Sequence, residues 1–169
     1  MQSAGRPAPH PASFRDPSGF IFRHDGAWHR YVAPAYQPHY ELLMAPGLYG
    51  ELTAAGLMIP HTEVPVTGTD AWKILRPEQV PFWSYPYEWS FALHKRAALH
   101  HIEVHLAALE GGFTLSDATA YNIQFRGTRP VFIDHLSLVP YRDGELWIGH
   151  RQFCMQFLNP LIFWAVLGV

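Results

Sequence analysis

Asp117-Ala-Thr-Ala-Tyr-Asn122, followed by Pro130-Val-Phe-Ile-Asp134, decides how this chain is read. An Asp, an Asn five residues later and a second Asp twelve residues beyond it fall in one loop–strand–turn–strand unit. Gly127-Thr128 predicts a tight turn between strands at 122–126 and 130–136. Strand alternation is expected to pack Ile123, Phe125, Val131 and Ile133 together, leaving Asn122 and Asp134 near one another at the rim. Oxygen ligands of this kind suit Mg²⁺, and a carboxylate beside them suits accepting a proton from a hydroxyl. Phosphoryl transfer needs these three groups. A milder reading remains, in which Asp117 caps a turn and Asn122 satisfies backbone groups.

Working outward, Gly111-Gly112 ends the clearest helix, predicted over 88–110, with Phe91, Ala98, Ile102, Leu106 and Leu109 on its core face. His94, His100, His101 and His105 crowd the same helix. His101 and His105 are one turn apart and could share a metal, but a solvated helix face is the preferred reading. Before it, Pro81 and Pro86 interrupt the aromatic stretch Val80-Pro-Phe-Trp-Ser-Tyr-Pro-Tyr87 and make it a hinge. Its rings are read as packing rather than as a ligand cage. Further upstream, Asp25-Gly26 predicts a hairpin over 19–32. Two short helices follow, at 40–44 and from 48 to 55, with Gly56 as C-cap. Short strands are expected within 58–66 and at 71–75. Residues 1–18 read as a flexible lead. A helix of about fifteen residues is predicted from Ile148 onward.

With 169 residues the chain is about one domain, and 49% hydrophobic residues suffice for a core. A net charge of −2 provides no basic field for nucleic acid or an anionic membrane. A single cysteine, Cys154, excludes an internal disulfide and a Cys-based zinc site. The first residues lack the pattern of a signal peptide, so a cytoplasmic location is expected. The apolar run after Pro160 is too short to span a bilayer, which takes about 20 residues. Either it docks on the core or the chain is a fragment of something longer.

The acidic unit resembles the catalytic and metal-binding loops of the protein-kinase-like superfamily, in the style of aminoglycoside and other small-molecule phosphotransferases. The resemblance implies Asp117 as catalytic base, and Asn122 and Asp134 as Mg²⁺ ligands, with ATP as cofactor. It departs from the family in three respects. Leu115 stands where a His is usual, His135-Leu136 follows Asp134, and no glycine-rich phosphate loop is present. The phosphate-clamping cation is left open between Lys73 and Arg30, with Glu51 as an ion-pair partner for Arg30.

A second resemblance covers most of the chain. The strings Ser13-Phe-Arg-Asp-Pro-Ser-Gly-Phe20, Ile74-Leu-Arg-Pro-Glu78, Ser84-Tyr-Pro-Tyr-Glu-Trp89, Ala118 to Phe125 and Arg151-Gln-Phe153 look like the N-terminal region of bacterial class I SAM-dependent methyltransferase-type proteins. That implies a methyltransferase domain following covalently. SAM is not expected to bind this chain alone, because no Gly-rich strand–turn–helix is present.

The expected architecture is therefore α+β, a protein-kinase-like two-lobe fold truncated in the C-lobe. A small lobe covers 19–79, a hinge 80–87 and a partial large lobe 88–169. The favoured function is a kinase-like module of a larger methyltransferase-type protein, binding nucleotide–Mg²⁺ or a small polar substrate. An active small-molecule phosphotransferase and a non-catalytic pseudokinase-type scaffold are the alternatives.

Overall fold

The computed structural model describes residues 6–13, 16–45 and 47–168. They form two units. One takes the described residues before Pro46 together with Pro60–Gln79, and the other takes Gly47–Ile59 and the chain from Val80 onward.

The first unit is built on a four-stranded antiparallel sheet. Strands β1 (Gly19–His24) and β2 (Ala27–Val32) form the expected hairpin. Asp25 and Gly26 both adopt positive φ, at 47° and 77°, the pairing that a type I′ turn requires. Helix α1 (Gln37–Met44) follows, then β3 (His61–Val64) and β4 (Lys73–Pro77). The strand order is β1-β2-β4-β3.

Alternation gives the sheet two chemically different faces. Phe20, Phe22 and Tyr31 pack with Ala71 on one side, where Phe20 stacks on Tyr31 at 4.4 Å. The β2–β4 register pairs Arg30 with Leu75 and Val32 with Lys73, and Glu63 of β3 also pairs with Leu75. Arg30, Lys73 and Glu63 therefore share the opposite face. The described part of the expected flexible lead is docked on β1. His10 N–H donates to Ile21 O at 2.8 Å, and the Arg6 guanidinium lies 5.0 Å from the Phe20 ring centre. Residues 1–5, Phe14 and Arg15 lie outside the described residues.

The second unit contains α2 (Leu48–Ala54), α3 (Phe91–Glu110), β5 (Phe113–Leu115), β6 (Ile123–Arg126), β7 (Arg129–Phe132), β8 (Leu138–Pro140), α4 (His150–Phe153) and α5 (Asn159–Leu167). Helix α3 starts at Phe91 rather than 88, because Ser90 Oγ caps Leu93 N–H while Pro86–Glu88 closes a separate 3₁₀ turn.

The face of α3 differs from the expectation. Of the five residues expected on the core face, Ala98 is buried and Ile102 and Leu109 are half-buried, but Phe91 and Leu106 are exposed, whereas His94, Ala97, His101, Val104 and Ala108 are buried. This second set has the same three- and four-residue spacing, so periodicity alone fits two phases of the helix. The histidines are thus core residues and not a solvated face. Tryptophan and phenylalanine rings pack against His94, His101 and His105, while His100 Nε2 is hydrogen-bonded to Leu57 O at 2.9 Å.

The β6–β7 hairpin forms across Gly127-Thr128, with Ile123 opposite Phe132 and Gln124 opposite Val131. This register separates residues expected to pack together. Val131 and Ile133 pack instead against Ile59 and Val80. Near the C-terminus, a π turn at Cys154–Leu158 joins α4 to α5. Pro160 lacks the N–H that would continue the helical ladder, and a π turn is one way to absorb that loss. Helix α5 leaves Ile162, Phe163, Val166 and Leu167 exposed. Among the described residues, no helix is long and apolar enough to cross a membrane.

Candidate functional site

Strand β5 delivers the chain into the loop that carries Asp117. Leu115 is fully buried, and its carbonyl accepts a 2.8 Å hydrogen bond from Trp147 Nε1. Asp117 Oδ1 accepts from Thr119 N–H at 3.0 Å, an Asx turn that fixes the carboxylate. A 3₁₀ turn at Ala120–Asn122 then feeds directly into β6. The hairpin returns the chain so that Ile133 N–H donates to Asn122 O at 2.9 Å. Asp134 is thereby held beside Asn122, with its Oδ1 accepting from Leu136 N–H at 3.2 Å.

The three predicted side chains meet. Asn122 Nδ2 lies 3.3 Å from Asp117 Oδ2 and 3.5 Å from Asp134 Oδ2. In each carboxylate, then, one oxygen is tied to backbone two residues on and the other faces the amide. The partial positive charge of the amide N–H₂ occupies the place between two carboxylates that a cation would favour. Rotating the amide by half a turn would direct Oδ1 there instead, giving three oxygens of the hard type that Mg²⁺ prefers. The donor set therefore fits the ion. Among the described residues no group of three or more His, Cys, Asp or Glu could hold a metal, and His105 Nε2 is hydrogen-bonded to Thr114 Oγ1 at 3.0 Å.

Sequence reasoning missed the supports of this loop. Gln152 Oε1 accepts from Ala118 N–H at 2.9 Å. Gln156 Oε1 accepts from both Ala120 N–H and Thr119 Oγ1 at 2.8 Å. The two glutamines are four residues apart and so share a helix face. A pair of amides in an apolar helix was the available signal. Beneath the loop, His101 is fully buried against Phe132, Trp147, Phe153 and Phe157. Burial pushes its imidazole down to about 4, assisted by His105 and opposed by the Asp117 backbone. His135, next to Asp134, is buried too and donates from Nε2 to Ile59 O at 2.9 Å.

Arg30, Lys73 and Glu51, the remaining predicted residues, lie on other elements. Arg30 is buried on β2 of the first unit. Lys73, on β4, is ion-paired with Glu63, which also accepts from Tyr40 Oη at 2.9 Å. Within the first unit, Glu63 is the carboxylate that β3 places on the cationic face of the sheet. Glu51 is exposed on α2, in the second unit. His61 completes the Tyr40–Glu63 cluster, and burial pushes it down to about 4.

The fold, apart from any site residue, has a counterpart among solved structures. The structure of vaccinia related kinase 3 superposes with a TM-score of 0.50 over 75% of this chain and 46% of that one, at 14% identity. The fold is protein-kinase-like. At that identity the likeness speaks for the kinase-like fold alone. In sequence, the chain is 43% identical over 177 aligned residues to nodulation protein NoeA of Rhizobium meliloti (strain 1021). The alignment takes in all of this chain but spans only 36% of the length of that relative. No family model matches the chain.

Proposed function

We propose that this kinase-like chain binds a nucleotide–Mg²⁺ complex and transfers a phosphoryl group to a small hydroxyl-bearing acceptor. The observation that carries the reading is the Asn122 amide standing within 3.5 Å of both carboxylates. Asn122 and Asp134 would hold Mg²⁺, which when bound supplies charge neutralisation at the phosphates. Asp117 would take the proton of the acceptor hydroxyl. The acceptor oxygen forms a bond to phosphorus as the bond to the leaving nucleoside diphosphate breaks.

The test is a thermal-shift titration with ATP and Mg²⁺, followed by a phosphate-transfer assay against a panel of small alcohols. Stabilisation that requires both ligands and disappears in Asp134→Ala supports the reading. In Asp117→Asn, binding persists and turnover falls by about 10²–10⁴-fold. A folded protein that no combination of ATP and Mg²⁺ stabilises would sink it.

The exposed apolar side of α5 favours a second reading, a scaffold whose helix packs on a further domain. A chain matching 36% of a longer relative is compatible with such a domain. The expected methyltransferase rests on the sequence strings alone, since neither comparison names one. Titrating SAM into this chain by calorimetry should give no heat of binding.

A further inference from the structure

His101 sits where the parts of the acidic site converge, and its ring is fully buried. Phe132, Trp147, Phe153 and Phe157 enclose it, and each stands close in sequence to a residue that builds the site. The Phe132 ring centre lies 5.8 Å away on β7, just before Asp134. Trp147, at 5.9 Å, donates to the Leu115 carbonyl, on the strand that leads to Asp117. Phe153 and Phe157, at 5.6 and 5.4 Å, are the chain neighbours of Gln152 and Gln156, which hold the N–H groups of Ala118 and Ala120.

A ring serving packing alone would be a phenyl. An imidazole adds an N–H and a lone pair, and neither His101 nitrogen has a hydrogen-bond partner. Leaving such groups unmet in a core costs stability, and buried polar groups in native proteins are nearly always met. Besides its own backbone, the backbone group that acts on the ring is that of Asp117, in the sense that favours a proton there. The contact falls short of hydrogen-bond geometry, so a small shift of ring or loop completes it. The Asp117 carbonyl belongs to the same peptide group as the Ala118 N–H, from which Gln152 Oε1 accepts at 2.9 Å.

We propose that His101 is a positioning residue for Asp117: its ring N–H serves the Asp117 carbonyl and, with Gln152 on the N–H side, clamps the Asp117–Ala118 peptide at both ends. A trans peptide is planar and carries its C=O and N–H on opposite edges, so partners at both edges fix its tilt. The Asp117 carboxylate is tethered two residues on, to Thr119 N–H. Its aim therefore depends on the tilt of the peptide between. The role given to the carboxylate rests on the phosphotransferase reading, whereas the clamp itself needs no ligand. A base misplaced by a fraction of a bond length loses much of its advantage, which is the gain from holding it by a buried ring.

The experiment is NMR on the ¹⁵N-labelled full chain, without nucleotide or Mg²⁺. In the native protein the His101 ring should show one tautomer with a slowly exchanging N–H. His101→Phe keeps a ring in the pocket and removes the donor. Hydrogen exchange at the Ala118 N–H should then quicken by about tenfold, as loss of an ordinary hydrogen bond predicts. Exchange at buried Val104, on α3, should change by less than about twofold. His101→Asn and His101→Gln return a donor near the place of one ring nitrogen or the other, and one of them should recover Ala118 protection to within about threefold. The proposal is overturned if the native ring exchanges between tautomers or if His101→Phe leaves Ala118 unchanged. It is equally overturned if Ala118 and Val104 quicken together, the mark of lost packing alone. If no variant folds, the native ring decides by its tautomer and its N–H. Where ATP and Mg²⁺ give turnover, His101→Phe should lower kcat by up to about 10²-fold and leave the nucleotide KM within about twofold. Because the exchange measurement omits nucleotide and metal, it and the thermal-shift titration succeed or fail separately.

Discussion

Asn122 is the residue on which the acidic site turns. Two carboxylates that face one another repel, and its amide supplies the shared donor between them. Asn122→Ala removes that donor. Its expected effects are a loss of about 1 kcal/mol in unfolding free energy and disappearance of the Mg²⁺-dependent nucleotide shift, read by urea titration and by thermal melt. Gln156 makes a second residue-scale prediction. Its side-chain oxygen is the acceptor for Ala120 N–H, on a buried residue, and for Thr119 Oγ1. Gln156→Ala should therefore cost about 1–3 kcal/mol, whereas a leucine exchange at exposed Ile162 should be near neutral. The meeting of Asp117, Asn122 and Asp134 was legible because one short hairpin brings them together, and local spacing encodes local geometry. The Gln152 and Gln156 supports were not, because they come from 34–37 residues away.

At the scale of elements, α3 shows how a correct helix can be given a face that is only partly right. Leu, Ile and Phe were expected inside and His outside, following average burial. Here the buried ridge is narrow, with Ala97, Ala98 and Ala108 admitting close neighbours and His101 filling an aromatic pocket. Leu106→Glu should change stability by no more than about 0.5 kcal/mol. Ala108→Leu should cost about 1–3 kcal/mol by overpacking. Urea unfolding of the two variants checks the assignment, and a reversed order would restore the original face. The same logic explains the hairpin register. Period-2 alternation was readable, but the pairing of Ile123 with Phe132 depends on the two-residue turn and cannot be read from hydrophobicity alone. The aromatic stretch was equally opaque: Trp89 is buried and Tyr87 exposed, and composition does not say which of neighbouring Tyr and Trp residues face solvent.

For the molecule as a whole, buried imidazoles set the response to acid. His101 and His61 are pushed down to about 4, mainly by burial. Burial also lowers His94, His100, His105 and His29. In each case the folded state favours the neutral ring, so the unfolded chain binds protons first as pH falls. Stability is fully present above about pH 6.5 and is lost as pH drops toward 4, on the order of 3 kcal/mol for His101 alone. Chemical denaturation at a series of pH values should show this steep acid limb. His101→Phe, which keeps a ring in the aromatic pocket, should flatten part of it. A limb of unchanged slope would remove His101 from the account.

The pairing of Lys73 with Glu63 has a practical consequence of another kind. The sequence holds only two lysines, and the other, Lys95, is exposed on α3. An amine-acylating reagent therefore meets just two side-chain targets, one in each unit. Lys73, tied to Glu63 and lying over the Tyr40 and Trp72 rings, should acylate more slowly than Lys95. Mass spectrometry of the partly labelled protein then yields a two-channel reading in which the Lys73 channel follows loosening of the first sheet and the Lys95 channel serves as its internal clock.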